Sequence, residues 1–197
     1  MATMGRPREF DVDEVLESAL RVFWAKGYEG ATMADLASAT GLKPGSIYAA
    51  FGCKIGLFMQ VVDRYVRTVV TYGPAAIEAD SAREVVRIWL DGVVRATSGA
   101  DTPPGCLLVQ AALVSGEGAD KVRAELRDRR QAAEVALTER FERARRTGDL
   151  PVDAEPEVAA RYVVALAQGI AVQAASGASR ADLQRMADLA LVRLPWE

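Results

Sequence analysis

The residues with the clearest chemical promise lie between Thr32 and Phe58, in the stretch TMADLASATGLKPGSIYAAFGCKIGLF. Pro44, Gly45 and Ser46 would make a slim helix start. Proline suits the first helical turn because its missing N–H would be unpaired there anyway, and small neighbours let the backbone approach another molecule closely. The Ser46 hydroxyl can donate to or accept from base edges and phosphates, and Tyr48 can lay its ring on a sugar or thymine methyl with its hydroxyl on a phosphate. Lys54 opens the next helix, so its ammonium adds to the positive helix end and makes an anion site. Lys43 supplies a further cation. Thr32 has two readings, a helix cap first and a phosphate contact second. The segment Gly5 to Arg8 is stiffened by Pro7, and Arg6 or Arg8 could enter a minor groove or belong to a frayed terminus. Ile47, Phe51, Leu57 and Phe58 read as core.

Two thiols complete the reactive inventory. Cys53 stands at a helix start beside Lys54, where thiolate is favoured, and Cys106 opens a helix after Pro103-Pro104-Gly105. The competing reading of each is a small buried hydrophobe.

The chain of 197 residues contains no histidine. A Ser-His-Asp triad, an H-E-x-x-H zinc site and a histidine-ligated deaminase centre therefore cannot be built from it. No phosphate loop, dinucleotide-binding turn or acidic calcium loop appears, so neither enzyme activity, cofactor nor metal is expected. Two cysteines are too few for a disulfide framework, and no leader or span-length apolar run is evident. A cytoplasmic protein without membrane contact is expected. The net charge of −3 argues mildly against a nucleic-acid partner. Its distribution argues the other way. Met1 to Arg8 holds two arginines and no acid, and Lys43 to Arg67 holds Lys43, Lys54, Arg64 and Arg67 against Asp63 alone.

An all-α fold must position these groups. Four pairs, Asp11 with Glu14, Thr32 with Asp35, Ser81 with Glu84 and Ser179 with Asp182, have the spacing of a helix start in which a short polar side chain and an acid three residues on share the first free N–H groups. Apolar periodicity predicts nine helices: Val12 to Lys26, Met33 to Thr40, Pro44 to Ala50, Cys53 to Tyr72, Ser81 to Ser98, Pro104 to Val114, Ala119 to Arg146, Pro156 to Ser176 and Arg180 to Leu194. Gly27 and Gly41 should stop the first two, and Gly73-Pro74 the fourth. The turn Gly41 to Lys43 sets two short helices against each other, as a helix-turn-helix requires. A domain over residues 1–54 and a larger one over 55–197 are expected, joined by the helix at 53–72.

The same stretch closely resembles the TetR family of one-component regulators. Thr32, Ala37, Gly41, Gly45, Ser46, Ile47, Tyr48, Phe51, Lys54, Leu57 and Phe58 fill its signature positions. Lys43 and Cys53 depart from it, each standing where a capping serine is common. The resemblance implies a three-helix DNA-binding headpiece and a C-terminal helical domain that dimerises and binds an effector. It implies DNA contacts at Arg6, Arg8, Thr32, Lys43, Pro44, Gly45, Ser46, Tyr48 and Lys54. It also implies a ligand-responsive repressor that binds a palindromic duplex operator as a homodimer and is released by an unknown small molecule. The Gly-Cys-Leu at Cys106 resembles a subgroup some of whose members respond to electrophiles or oxidants through that cysteine. A thiol-sensing regulator is therefore one alternative, and a helical small-molecule-binding protein without DNA function is another.

Since one headpiece covers one half-site, two must be held about a helical turn of DNA apart. The small-residue face of Val163, Ala167, Ile170 and Ala174, with Leu183, Met186 and Leu189, is the candidate dimer surface, although the same residues could pack on their own chain. Trp89, Val93, Leu107, Gln110, Leu113, Leu137, Phe141 and Tyr162 are the candidate pocket lining, with ordinary core as the competing reading.

Overall fold

A computed structural model describes residues 10–110 and 120–194. Among the described residues ten helices follow one another: α1 (Val12–Gly30), α2 (Met33–Thr40), α3 (Pro44–Phe51), α4 (Lys54–Thr68), α5 (Tyr72–Ile77), α6 (Ala82–Thr97), α7 (Leu107–Gln110), α8 (Asp120–Thr147), α9 (Pro156–Ala175) and α10 (Arg180–Arg193). No strand occurs among the described residues. The all-α expectation holds, with one helix more than the periodicity predicts.

The helix starts are built by the capping residues. Thr32 accepts from the Asp35 N–H at 3.1 Å while the Asp35 carboxylate accepts from the Thr32 N–H at 3.0 Å. Ser81 and Ser179 likewise accept from the N–H groups of Glu84 and Asp182. Asp11 instead accepts from Asp13, one residue short of the expected partner. Gly27 does break α1, at a φ of 72° that favours glycine, and one more helical turn follows it to Gly30.

The expected helix from Cys53 to Tyr72 is corrected. Helix α4 ends at Thr68, and Gly73-Pro74 lie in the first turn of a separate α5 rather than beyond a helix end. A proline clashes with the carbonyl four residues before it, here that of Val70, so one helix cannot run through both. The break therefore falls upstream of the proline. The α7 segment is described only as far as Gln110, and Leu113 lies outside the described residues.

Two apolar cores result. The first joins Leu16, Phe23, Trp24, Leu36, Ile47, Phe58 and Tyr65 of α1 to α4 with Leu107 and Leu108 of α7 and Val122 and Leu126 of α8. The second joins Val86, Leu90 and Val94 of α6 with Leu137 and Phe141 further along α8, Val163 and Ile170 of α9, and Leu183 of α10. Helix α8 thus begins in one core and ends in the other. Helix α9 is the one helix among the described residues long and apolar enough to cross a membrane. It packs here against α6, α8 and α10.

Candidate nucleic-acid interface and internal chamber

Helix α3 is fixed from one side only. Ile47 and Phe51 are buried in the first core, while Lys43, Pro44, Gly45, Ser46 and Tyr48 are exposed, Tyr48 by 47%. Gly41, at a φ of 70°, makes the turn that sets α3 against α2. As the residue types imply, Lys43 caps α3 with no side-chain hydrogen bond; Pro44 has no N–H, and the Ser46 and Ile47 N–H groups turn back to the Lys43 carbonyl at 2.9 and 3.2 Å. The exposed Pro44, Gly45 and Ser46 form a narrow, uncrowded ridge.

Lys54 holds its ammonium 4.6 Å from the centre of the Tyr28 ring. Burial lowers its pKa and Glu29 opposes the shift. Tyr28, which sequence reasoning missed, stacks with Phe23 and meets Phe58 edge-on, and so plants the lysine on the core. The helix start beneath Lys54 is tight. Cys53 accepts from the Gly56 N–H through its sulfur at 3.4 Å, and a Cβ on Gly56 would lie 2.1 Å from the Phe51 carbonyl oxygen.

Thr32 and Arg64 are committed elsewhere. The Thr32 hydroxyl donates to Asp35 at 2.8 Å, and Lys26 binds the same carboxylate at 2.6 Å, so Thr32 serves as a cap. Arg64 binds Asp13 at 2.7 Å and Glu17 at 3.1 Å, which ties α4 to α1 and spends its charge inside the protein. Arg6 and Arg8 lie outside the described residues. Of the expected contacts, the fold leaves Lys43 to Ser46, Tyr48 and Lys54 together as a candidate interface.

A chamber of about 500 Å³ opens between α4, α5, α6, α7, α8 and α9. Of the expected lining, Trp89 and Val93 are there. Leu107 is buried in the first core, Leu137 and Phe141 in the second, and Tyr162 points outward, 47% exposed. Gln110 turns its amide to the Pro104 carbonyl at 3.0 Å. What the sequence reading missed is the polar part of the wall: Tyr65, Tyr72, Arg129, Arg130 and Gln168. Tyr65 lies on the apolar period of α4 and so reads as core, while the charged Arg129 and Arg130 carry no apolar signal at all.

Cys106 also lines the chamber. Burial and a hydrogen bond to Cys106 hold the Tyr65 hydroxyl well above the usual tyrosine range, and burial raises Tyr72 as well. Cys53 is exposed and lies away from this wall.

The expected dimer surface is largely spent within the protomer. Val163, Ile170, Ala174 and Leu183 are at most 3% exposed, Met186 packs on the second core, and Ala167 lines the chamber. The helix period explains the shift, since α9 turns its small residues toward α6 and α8 and leaves Val158, Tyr162, Ala165 and Val172 outward. Leu189 keeps its expected place on the surface, 58% exposed, together with Val192.

Residues 15–61 match the bacterial regulatory proteins of the tetR family, and residues 79–189 match the tetracyclin repressor-like C-terminal domain. The chain is 29% identical over 189 residues to the HTH-type transcriptional repressor ComR of Escherichia coli, covering 95% of this chain and 90% of that protein. It is 29% identical over 180 residues to the HTH-type transcriptional repressor AcnR of Corynebacterium glutamicum, covering 89% and 88%. Among solved structures it superposes on a cysteine mutant of the TetR family transcriptional regulator CifR complexed with 26-base-pair double-strand operator DNA, with a TM-score of 0.92, 36% identity, and 97% and 100% of the two chains covered. With the helix-turn-helix and the helical body both matched, this chain belongs to the TetR family of bacterial regulatory proteins.

Proposed function

We propose that this chain is a transcriptional repressor that binds a palindromic duplex operator as a homodimer through α3 and is released when a small molecule fills the internal chamber. The observation that carries the reading is the division of α3 into a buried side, Ile47 and Phe51, and a bare outer side of Pro44, Gly45, Ser46 and Tyr48. A helix so held enters a major groove without clash, and Lys43 and Lys54 stand at its ends to meet phosphates. The CifR relative was solved on operator DNA, which supports the same use of this fold here. Release follows if ligand favours a dimer shape whose two α3 helices no longer match the operator spacing. A gel-shift titration on the DNA upstream of its own gene, repeated across salt, tests the reading. Specific binding that weakens in the double variant Tyr48→Ala with Lys54→Ala is expected, and undiminished binding would refute the assignment.

A second reading concerns the trigger. Cys106 lies in the chamber wall with Tyr65, where an electrophile entering the chamber would meet its sulfur. Mass spectrometry after brief exposure to N-ethylmaleimide separates the two triggers. Rapid modification at Cys106 with loss of operator binding supports thiol sensing, and a chain that stays unmodified while still responding to a ligand rejects it.

A further inference from the structure

We propose that the chamber takes an amphiphile with one carboxylate head and an apolar body, and that Arg130 holds the head. This rests on the reading of the chamber as the effector site. Most of its wall is apolar, from Val66, Val70, Ile77, Trp89, Val93 and Val164, so the body of the ligand must be apolar too. A volume of about 500 Å³ falls in the range of pockets that enclose a small organic molecule.

The charge on the wall is lopsided. Two guanidinium groups reach it, and they differ in what they already hold. Arg129 is occupied by Glu125 at 2.7 Å and by Asp63 on α4. Arg130 donates from Nη1 to the Leu108 carbonyl at 2.8 Å and has no carboxylate partner among the described residues. A guanidinium carries five N–H donors, so most of its capacity is unspent. Its surroundings withdraw water from it, and burial pulls its pKa down. A half-buried cation without a carboxylate partner among the described residues is costly, and a ligand carboxylate met by the guanidinium fork offsets that cost through paired, charge-assisted bonds. The one acid on the wall, Glu78, is solvent-exposed and lies close enough to Arg140 to raise its pKa. No buried acid in the wall competes for Arg130 or invites a cationic ligand.

The experiment uses the full chain and the neutral fluorophore N-phenyl-1-naphthylamine, displaced by decanoate or by 1-decanol. These competitors differ in the head group alone. Decanoate is expected to displace the fluorophore at about tenfold lower concentration than 1-decanol, the size of effect one charge-assisted pair gives. Arg130→Gln is expected to abolish that preference while leaving displacement by 1-decanol unchanged, and Arg130→Lys to keep part of it. A wild-type chain that does not favour decanoate overturns the inference, as does a preference that survives Arg130→Gln. If Arg130→Gln fails to fold, the wild-type preference and Arg130→Lys decide. If the fluorophore does not bind the wild-type chain at all, the effector reading of the chamber fails and the inference fails with it. Fluorophore binding without the head-group preference leaves the chamber standing and removes Arg130 from it.

Discussion

The indole N–H of Trp24 donates to the carbonyl oxygen of Gly105 across 3.1 Å, a buried bond between headpiece helix α1 and the residue before Cys106. The same indole meets the Tyr65 ring edge-on, 5.0 Å between centroids, and Tyr65 shares the chamber wall with Cys106. Gly105 has no room to yield. Its φ is 91°, and a Cβ there would lie 2.6 Å from the Gln110 amide nitrogen. The chamber wall and the DNA-reading headpiece therefore share one rigid joint. Trp24→Phe keeps the ring but leaves the buried Gly105 carbonyl unpaired, at a cost of about 1–3 kcal/mol. A urea-derived unfolding free energy lowered by that amount is the expected result, and an unchanged value would show that the bond contributes nothing.

Lys54→Gln should weaken operator binding through charge, since it removes one phosphate contact from each half-site. Lys54 sits at the start of α4 with its ammonium over the Tyr28 ring, which is where the proposed phosphate contact would be made. The plot of log affinity against log salt should lose about one unit of slope per contact removed, and binding should weaken on all sequences alike. Tyr48→Phe, which keeps the ring and loses the hydroxyl, should leave that slope unchanged. Gel shifts across a salt series check both. An unchanged slope in Lys54→Gln would take Lys54 out of the interface.

Gly92 offers a test in which two physical effects have opposite signs. It lies inside α6, where alanine is favoured over glycine by about 1 kcal/mol of helix propensity. Yet a Cβ at this position would lie 2.3 Å from Cβ and Cγ of Tyr72, whose ring packs against Trp89 in the chamber wall. Gly92→Ala must displace Tyr72, and such overpacking costs about 1–3 kcal/mol. A lowered thermal midpoint with altered binding of N-phenyl-1-naphthylamine is expected. A raised midpoint would mean that propensity wins and that the contact is soft.

Acid should loosen the joint between α1 and α2 through Asp35. The hydrogen bonds from Lys26 and from the Thr32 N–H and hydroxyl hold the Asp35 carboxyl far below its ordinary value of 3.8. The folded pKa is depressed, so the stabilisation is fully present above the unfolded value. It is lost as pH falls from about 4 toward the folded value. Asp35→Asn should therefore destabilise the protein at pH 6 and narrow its gap to wild type as the pH drops below 4. Parallel denaturation curves at pH 6 and pH 3 check this, and a gap independent of pH would contradict it.

Much of the headpiece is legible in the sequence because its signals are local. Thr32 with Asp35, Gly41, Pro44 and Gly27 each mark a boundary through their own backbone chemistry, and the structure places helix ends or kinks at them. The chamber is not legible in the same way. Leu137 and Phe141 recur at the spacing of pocket and core alike, and which role they take depends on what faces them across the bundle. Arg129 and Arg130 are neighbours in a charged helix, and only the fold shows that Asp63 claims one and leaves the other. The end of α4 was concealed for a similar reason. Val69 and Val70 continue the apolar period past the point where Pro74 forbids the helix. The small residues expected on a dimer face are buried within the protomer because they suit a close contact there as well as one across a symmetry axis.

The outward apolar side chains left by α9 and α10 make the final prediction. Val158, Tyr162 and Val172 follow each other at helical spacing on α9, 56%, 47% and 50% exposed, and Leu189 and Val192 on α10 are 58% and 74% exposed. Side chains so exposed contribute little to the protomer, so replacing them with acids should cost its stability about 0.5 kcal/mol or less. If these faces pair across a two-fold axis, Leu189→Asp with Val192→Asp buries four charges in the dimer, two from each chain, without counter-ions. Sedimentation should then show a folded monomer with unchanged helical circular dichroism. That monomer should lose specific operator binding while keeping weak, salt-sensitive attachment to any duplex, because each freed headpiece still spans a half-site. A double variant that remains dimeric would place the two-fold contact on a different surface, and one that is monomeric yet still binds the operator tightly would show that a single α3 suffices.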